Sequence, residues 1–145
     1  EIKFKCRAAA LVFKNDKILL HKMEGDSFWN TPGGTIEFNE TAKDCLSREM
    51  KEELKWEVIE SQFIGVLENF FTYDNKKYKE IVFYFKINRF IGKDFNETTI
   101  IENGREYIFQ YFPLDEIDRI SIKPNIFKEI LIQTKYPFSL VNYDK

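Results

Sequence analysis

The stretch from Pro32 to Trp56, PGGTIEFNETAKDCLSREMKEELKW, decides how this chain is to be read. From about Thr41 to Lys55 it carries a helical pattern, opened by Thr41 and Asp44 in the arrangement of a capping box. With Ala42 set to zero and about 100° per residue, Cys45, Leu46, Met50 and Leu54 fall at about 300°, 40°, 80° and 120°, an apolar arc. Lys51, Lys55 and Asp44 fall on the opposite side, at about 180–220°. Glu49 and Glu53 fall at about 340° and 20°, inside the apolar arc, with Glu52 at its margin at about 280°. A solvated helix keeps its carboxylates outward, so these acids need another explanation.

Carboxylates at i, i+3 and i+4 share one helix face and repel each other unless something neutralises them. A divalent cation held by oxygen ligands is the simplest remedy. The alternative is a salt-bridged helix in which Arg48 and the nearby lysines suffice. Before the helix, Gly33-Gly34 after Pro32 permits positive φ and a close backbone approach to a ligand. A glycine turn beside clustered acids suits a metal-bridged phosphate, because the metal supplies the positive charge that the protein lacks.

Outward from this segment, residues 5–13 read as a strand and Asn15-Asp16 as a hairpin turn into a second strand, Lys17–Met23. Gly25 to Gly34 reads as a loop. Strand-like runs recur at 56–67, 79–88 and 107–112, and 125–136 reads as a second helix from the spacing of Ile126, Phe127, Ile130 and Leu131. The order of strands, helix, strands, helix predicts a mixed sheet covered by helices rather than a doubly wound parallel sheet. No repeat, low-complexity tract or linker interrupts the pattern, so a single domain over 1–145 is expected.

The composition narrows the function classes. The 145 residues are 43% hydrophobic and 32% charged, ordinary for a folded domain with its own core. The 22 Lys+Arg against 24 Asp+Glu give a net charge of −2, which argues against a nucleic-acid polymer or a polybasic membrane surface as partner. No apolar run approaches the roughly 20 residues of a membrane helix, and the first residues lack a signal-peptide core. The 2 cysteines, Cys6 and Cys45, give no disulfide framework, and with one histidine, His21, they make no zinc cluster. A reducing, cytoplasmic location is expected, with both cysteines unpaired.

Gly34, five residues, Glu40, seven residues, then Arg48-Glu49-Met50-Lys51-Glu52-Glu53 resembles the signature of the Nudix hydrolases, the MutT-like nucleotide pyrophosphohydrolases. Over box positions 34–56, six of the seven invariant-type residues match. From this composition a chance match is roughly one in tens of thousands. The likeness extends to the preceding hairpin, to Trp29 before Pro-Gly-Gly, to Glu80–Phe83 and to Tyr111–Ile117, about residues 5–136 in all. One position departs from it. Lys55 stands where the family usually has a glycine that ends the helix in the left-handed conformation, and here Lys55 is expected to extend the last turn instead.

The resemblance implies a Nudix-type α/β/α sandwich, with a mixed β-sheet between helices. It implies hydrolysis of a pyrophosphate linkage in a nucleoside diphosphate joined to another group, most naturally a nucleoside triphosphate or a dinucleoside polyphosphate. Position by position, Glu49, Glu52 and Glu53 would hold Mg²⁺ (or Mn²⁺), with the Gly34 backbone contributing. Arg48 would orient Glu53 or Glu49, and Glu40 would brace the loop–helix junction or join the outer metal shell. A further acid outside the box serves such sites as base or ligand; Glu102 and Glu106 are the candidates, Glu106 preferred for its place beside Tyr107, with Glu80 as another outer acid. Arg7, Gly33 and Gly34, with Lys22, are candidates for phosphate contact. Phe28 and Trp29 would either stack on a base or plug the core. A homodimer is compatible with this assignment. The competing reading is a Nudix-fold nucleotide-binding or regulatory module without catalysis, but such modules usually lose box carboxylates, and here all are present.

Overall fold

The computed structural model describes residues 2–144; Glu1 and Lys145, the ends of the expected domain, lie outside the described residues. In chain order the elements are β1 (Ile2–Leu11), β2 (Phe13–Lys14), β3 (Lys17–Met23), β4 (Gly33–Thr35), α1 (Ala42–Leu54), β5 (Glu57–Tyr73), β6 (Lys76–Ile91), β7 (Glu97–Glu102), β8 (Arg105–Pro113), a 3₁₀ turn (Leu114–Arg119), α2 (Phe127–Leu131) and β9 (Phe138–Tyr143). They form a five-stranded sheet in the order β4-β1-β6-β5-β9 and a four-stranded sheet in the order β2-β3-β8-β7. The first is mixed: β1 runs parallel to β6 and β5 to β9, while β4 and the β5–β6 hairpin pair antiparallel.

Period-two alternation in β1 and β3 explains the layering. Ala8, Ala10 and Val12, with Leu19, pack on Cys45, Leu46 and Met50 of α1. Ala9 and Leu11, with Ile18 and Leu20, face the other way onto Ile117, Phe127 and Ile130 of the 3₁₀ turn and α2. Sheet therefore lies between helical layers, as the α/β/α reading expects. Leu46 and Met50 are wholly buried, each contributing about 1.5–3 kcal/mol by removal from water. No helix among the described residues is long and apolar enough to cross a membrane.

Helix α1 begins as expected: the Asp44 N–H donates to Thr41 Oγ1 at 3.0 Å, and the Thr41 N–H to Asp44 Oδ2 at 3.3 Å. Its end differs. Lys55 does not extend the last turn; it takes the left-handed conformation itself, at φ 60° and ψ 29°, with its N–H on the carbonyls of Lys51 and Met50. The strain is about 1 kcal/mol for a residue with a Cβ. The next residue secures the turn: Trp56 is fully buried, stacks on Phe90 and donates its indole N–H to the Lys93 carbonyl at 2.9 Å.

Three further expectations need correction. The second helix is only Phe127–Leu131, because Ile132 is 72% exposed and Tyr136 precedes a proline, which disfavours helical geometry. The central hairpin is longer than the strand runs predicted, since Asp74 and Asn75 both adopt positive φ and close a tight turn between β5 and β6. Strands β7 and β9 lie outside the strand-like runs of the sequence. Cys6 and Cys45 are both unpaired.

Candidate active site

A cavity of about 680 Å³ is lined by residues of both sheets, with α1 and β4 contributing to its wall. Gly33 and Gly34 are required there by close approach. A Cβ on Gly33 would lie 2.0 Å from the Ala8 carbonyl oxygen, and one on Gly34 would lie 2.3 Å from Cδ of Glu49. The glycine pair thus lets β4 join β1 and leaves room for the Glu49 side chain on its surface.

Arg48 organises the acids around it. Its Nε donates to Glu40 Oε2 at 3.0 Å and one terminal nitrogen to Glu40 Oε1 at 2.7 Å, a two-pronged ion pair. The other terminal nitrogen donates to Glu49 Oε1 at 2.8 Å and lies 3.4 Å from Glu52 Oε2. Arg48 therefore orients Glu49 rather than Glu53. Glu40 also accepts the Glu37 N–H at 3.0 Å, which makes it a brace for the loop–helix junction. The Arg48 hydrogen bonds, with the Glu37 N–H, hold its carboxyl at about 2.

Glu53 is the unusual member. It is 5% exposed and its Oε1 has no hydrogen-bond partner. Burial, then the neighbouring Glu49 and Glu102, push its carboxyl up to about 8. Glu49 is raised as well, chiefly by burial, against the opposing pull of Arg48. Glu49, Glu52 and Glu102 each bring a carboxylate oxygen within 4.8 Å of the others. Unit charges at that distance repel by about 3 kcal/mol per pair at the effective dielectric of a protein surface. The guanidinium of Arg48, already forked onto Glu40, cannot neutralise them all. An all-oxygen donor set with an unpartnered buried carboxylate oxygen beside it fits a hard divalent cation.

The structure brings Arg7, Phe28, Gly33, Gly34, Arg48, Glu49 and Glu53 together around the cavity, with Lys22 and Glu80 also on its wall. Arg7 donates to the Thr31 carbonyl and reduces the charge cost at Glu53. Phe28 meets Tyr73 edge-on at 6.2 Å, and the Tyr73 hydroxyl donates to Asp26 at 2.9 Å. Two expected residues fall elsewhere. Trp29 packs on Phe112 at 4.7 Å and pairs with Ile122, so it plugs the core rather than facing a ligand. Glu106 is exposed and off the cavity, because alternation along β8 turns Tyr107 inward instead; Glu102, opposite Arg105 at the end of β7, joins the acids. His21 also lines the cavity, and burial, then Arg7, lower it to about 3, so its imidazole is neutral.

The family model of the NUDIX domain matches residues 4–131. The uncharacterized Nudix hydrolase YvcI of Bacillus subtilis (strain 168) is 27% identical over 110 residues, covering 76% of this chain and 66% of its own length. Among solved structures, a MutT protein from Bacillus halodurans superimposes with a TM-score of 0.71 at 20% identity, over 91% of this chain and 85% of that one. A MutT NUDIX hydrolase from Burkholderia pseudomallei gives a TM-score of 0.69 at 18% identity, over 90% of this chain and 99% of that one. At such identities the solved structures carry the fold alone.

Proposed function

We propose that this chain, which belongs to the Nudix hydrolase family, cleaves the pyrophosphate linkage of a nucleoside triphosphate or dinucleoside polyphosphate with the help of a divalent cation. The observation that carries the reading is Glu53, buried and unpartnered at Oε1 beside Glu49, at the wall of a cavity large enough for a nucleotide. A structural ion pair would leave no such orphan.

Glu49, Glu52, Glu53 and Glu102 would hold Mg²⁺, or Mn²⁺, with the Gly34 backbone alongside; when bound, the cation polarises the phosphoryl oxygens and offsets their charge. The remaining roles belong to the protein. Arg48 fixes the Glu49 carboxylate by a charge-assisted hydrogen bond, and Glu40 fixes Arg48. Arg7, on β1 at the cavity wall, meets a phosphate oxygen and holds the chain of phosphates in line. Positioning and electrostatic stabilisation of this kind carry most of phosphoryl-transfer catalysis. Glu102 replaces Glu106 as the acid outside the box. The protein works as one domain in the cytoplasm on a small nucleotide, not on a nucleic-acid polymer or a membrane.

A panel of nucleoside triphosphates, dinucleoside polyphosphates and nucleotide sugars, incubated with Mg²⁺ and resolved by product, tests this. The proposal expects a nucleoside monophosphate among the products of at least one member. No turnover across the panel would overturn it.

A further inference from the structure

The end of the cavity away from Glu49 and Glu53 is built from residues that the proposed hydrolysis gives no part. Part of it is β9, beyond the residues 4–131 that match the family model. Strand register sets Lys5, Glu80, Asn69 and Asn142 in one row across β1, β6, β5 and β9. Glu80, Asn69 and Asn142 are 8%, 6% and 4% exposed, an unusual depth for three polar side chains. The Asn142 amide donates to Asn69 Oδ1 at 2.9 Å, which leaves Asn69 Nδ2 as the donor available to the cavity. Next along is Asp144, whose N–H donates to the Phe70 carbonyl at 2.7 Å. Its side chain is 7% exposed, with Oδ2 3.9 Å from Lys123 Nζ, yet the buried Oδ1 has no partner. A buried carboxylate oxygen left without a donor is costly, and this one lines a cavity.

We propose that Asp144 is a specificity-determining residue that reads the base of the bound nucleotide. Its Oδ1 accepts a ring N–H or an amino group, and Asn69 Nδ2 donates to a ring nitrogen or carbonyl beside it. The proposal rests on the reading of this cavity as a nucleotide site. The spacing agrees. From Arg7 to Asp144 the sheet runs three strand steps across and four residues along, a diagonal of about 20 Å. That span lets a nucleotide place its phosphates at Arg7 and the acids while its base reaches Asp144. Phe71, packed on Tyr78, supplies the apolar wall there.

The test is calorimetric titration in EDTA with the four common nucleoside 5′-monophosphates and with ribose 5-phosphate, so that turnover plays no part. Wild-type protein should bind at least one nucleotide roughly tenfold or more tighter than ribose 5-phosphate, and Asp144→Asn should erase or reorder that base ranking. Lys123→Met, which removes the ion pair but leaves the acceptor, should keep the ranking. An independent arm uses wild-type protein alone: methylating the N–H groups of the preferred base should weaken binding roughly tenfold or more. The proposal is overturned if ribose 5-phosphate binds as tightly as every nucleotide, if Asp144→Asn preserves the ranking, if Lys123→Met reproduces its effect, or if methylation costs nothing. Base-ranked binding that depends on Asp144 without turnover of any panel member would remove the hydrolysis reading and leave this one standing. Turnover indifferent to Asp144 would do the reverse.

Discussion

Replacing Glu53 with Gln should make the metal-free protein more stable while ending its function. The carboxyl is pushed up to about 8 in the folded protein, from 4.5 in the unfolded chain. The folded state therefore holds a proton that the unfolded chain has already released. Its contribution is intact below about 4.5 and is lost as pH rises toward 8. Each pH unit in that window costs about 1.4 kcal/mol, a little less near its two ends, so between pH 5 and pH 7 the variant should gain about 2.5 kcal/mol on wild type. For a chain of this size that is on the order of 5–10 °C in melting temperature. Denaturation in EDTA at pH 5, 6, 7 and 8 reads the difference directly. Repeating the pH 7 melt with Mg²⁺ should show wild type stabilised and the variant much less so, since a ligand of the native state raises its stability only if it binds. A difference that stays flat from pH 5 to 8, or a variant that melts lower at pH 7 with the Mg²⁺ response intact, would refute the reasoning and make Glu53 a structural group.

Three other substitutions probe the frame around it. Gly34→Ala puts a methyl 2.3 Å from Cδ of Glu49, so kcat should fall by about a hundredfold as the carboxylate is displaced; an unchanged kcat would contradict the packing account. Arg48→Lys loses the fork onto Glu40, and activity or metal affinity should fall about 10- to 100-fold, whereas full activity would show that one point charge suffices. Lys55→Gly relieves a residue at φ 60° and should raise unfolding stability by about 1 kcal/mol in urea titrations; a loss of stability would show that the lysine's own contacts outweigh the strain.

The candidate site is legible in the sequence where chemistry and helical period coincide. Glu49 and Glu53 on the apolar arc of α1 betrayed themselves because a buried carboxylate contradicts its own pattern, and the helix was long enough for the period to be unmistakable. Glu102 was harder. It lies at a β7–β8 hairpin closed by Asn103-Gly104, a dipeptide that marks such a turn, but the strand Glu97–Glu102 mixes polar and apolar residues without a clean alternation. Alternation along β8 then settles Tyr107 inward and Glu106 outward, a choice that depends on which face is covered. Trp29 shows the same limit: beside a glycine loop, an aromatic ring suits a ligand or the core equally well, and only Phe112 and Ile122 decide for the core. Strand β9 and Asp144 were invisible for another reason. Their place beside the cavity comes from pairing with β5, some 70 residues earlier in the chain, and no local pattern encodes it.

The most direct measurement is the rate of phosphate or pyrophosphate release from the best nucleotide of the panel, with Mg²⁺ and then with excess EDTA. The account predicts that chelation removes nearly all turnover, on the order of a thousandfold or more, and that restoring Mg²⁺ restores it. Full turnover in EDTA would contradict it, because the carboxylates of α1 and β7 would then serve no cation.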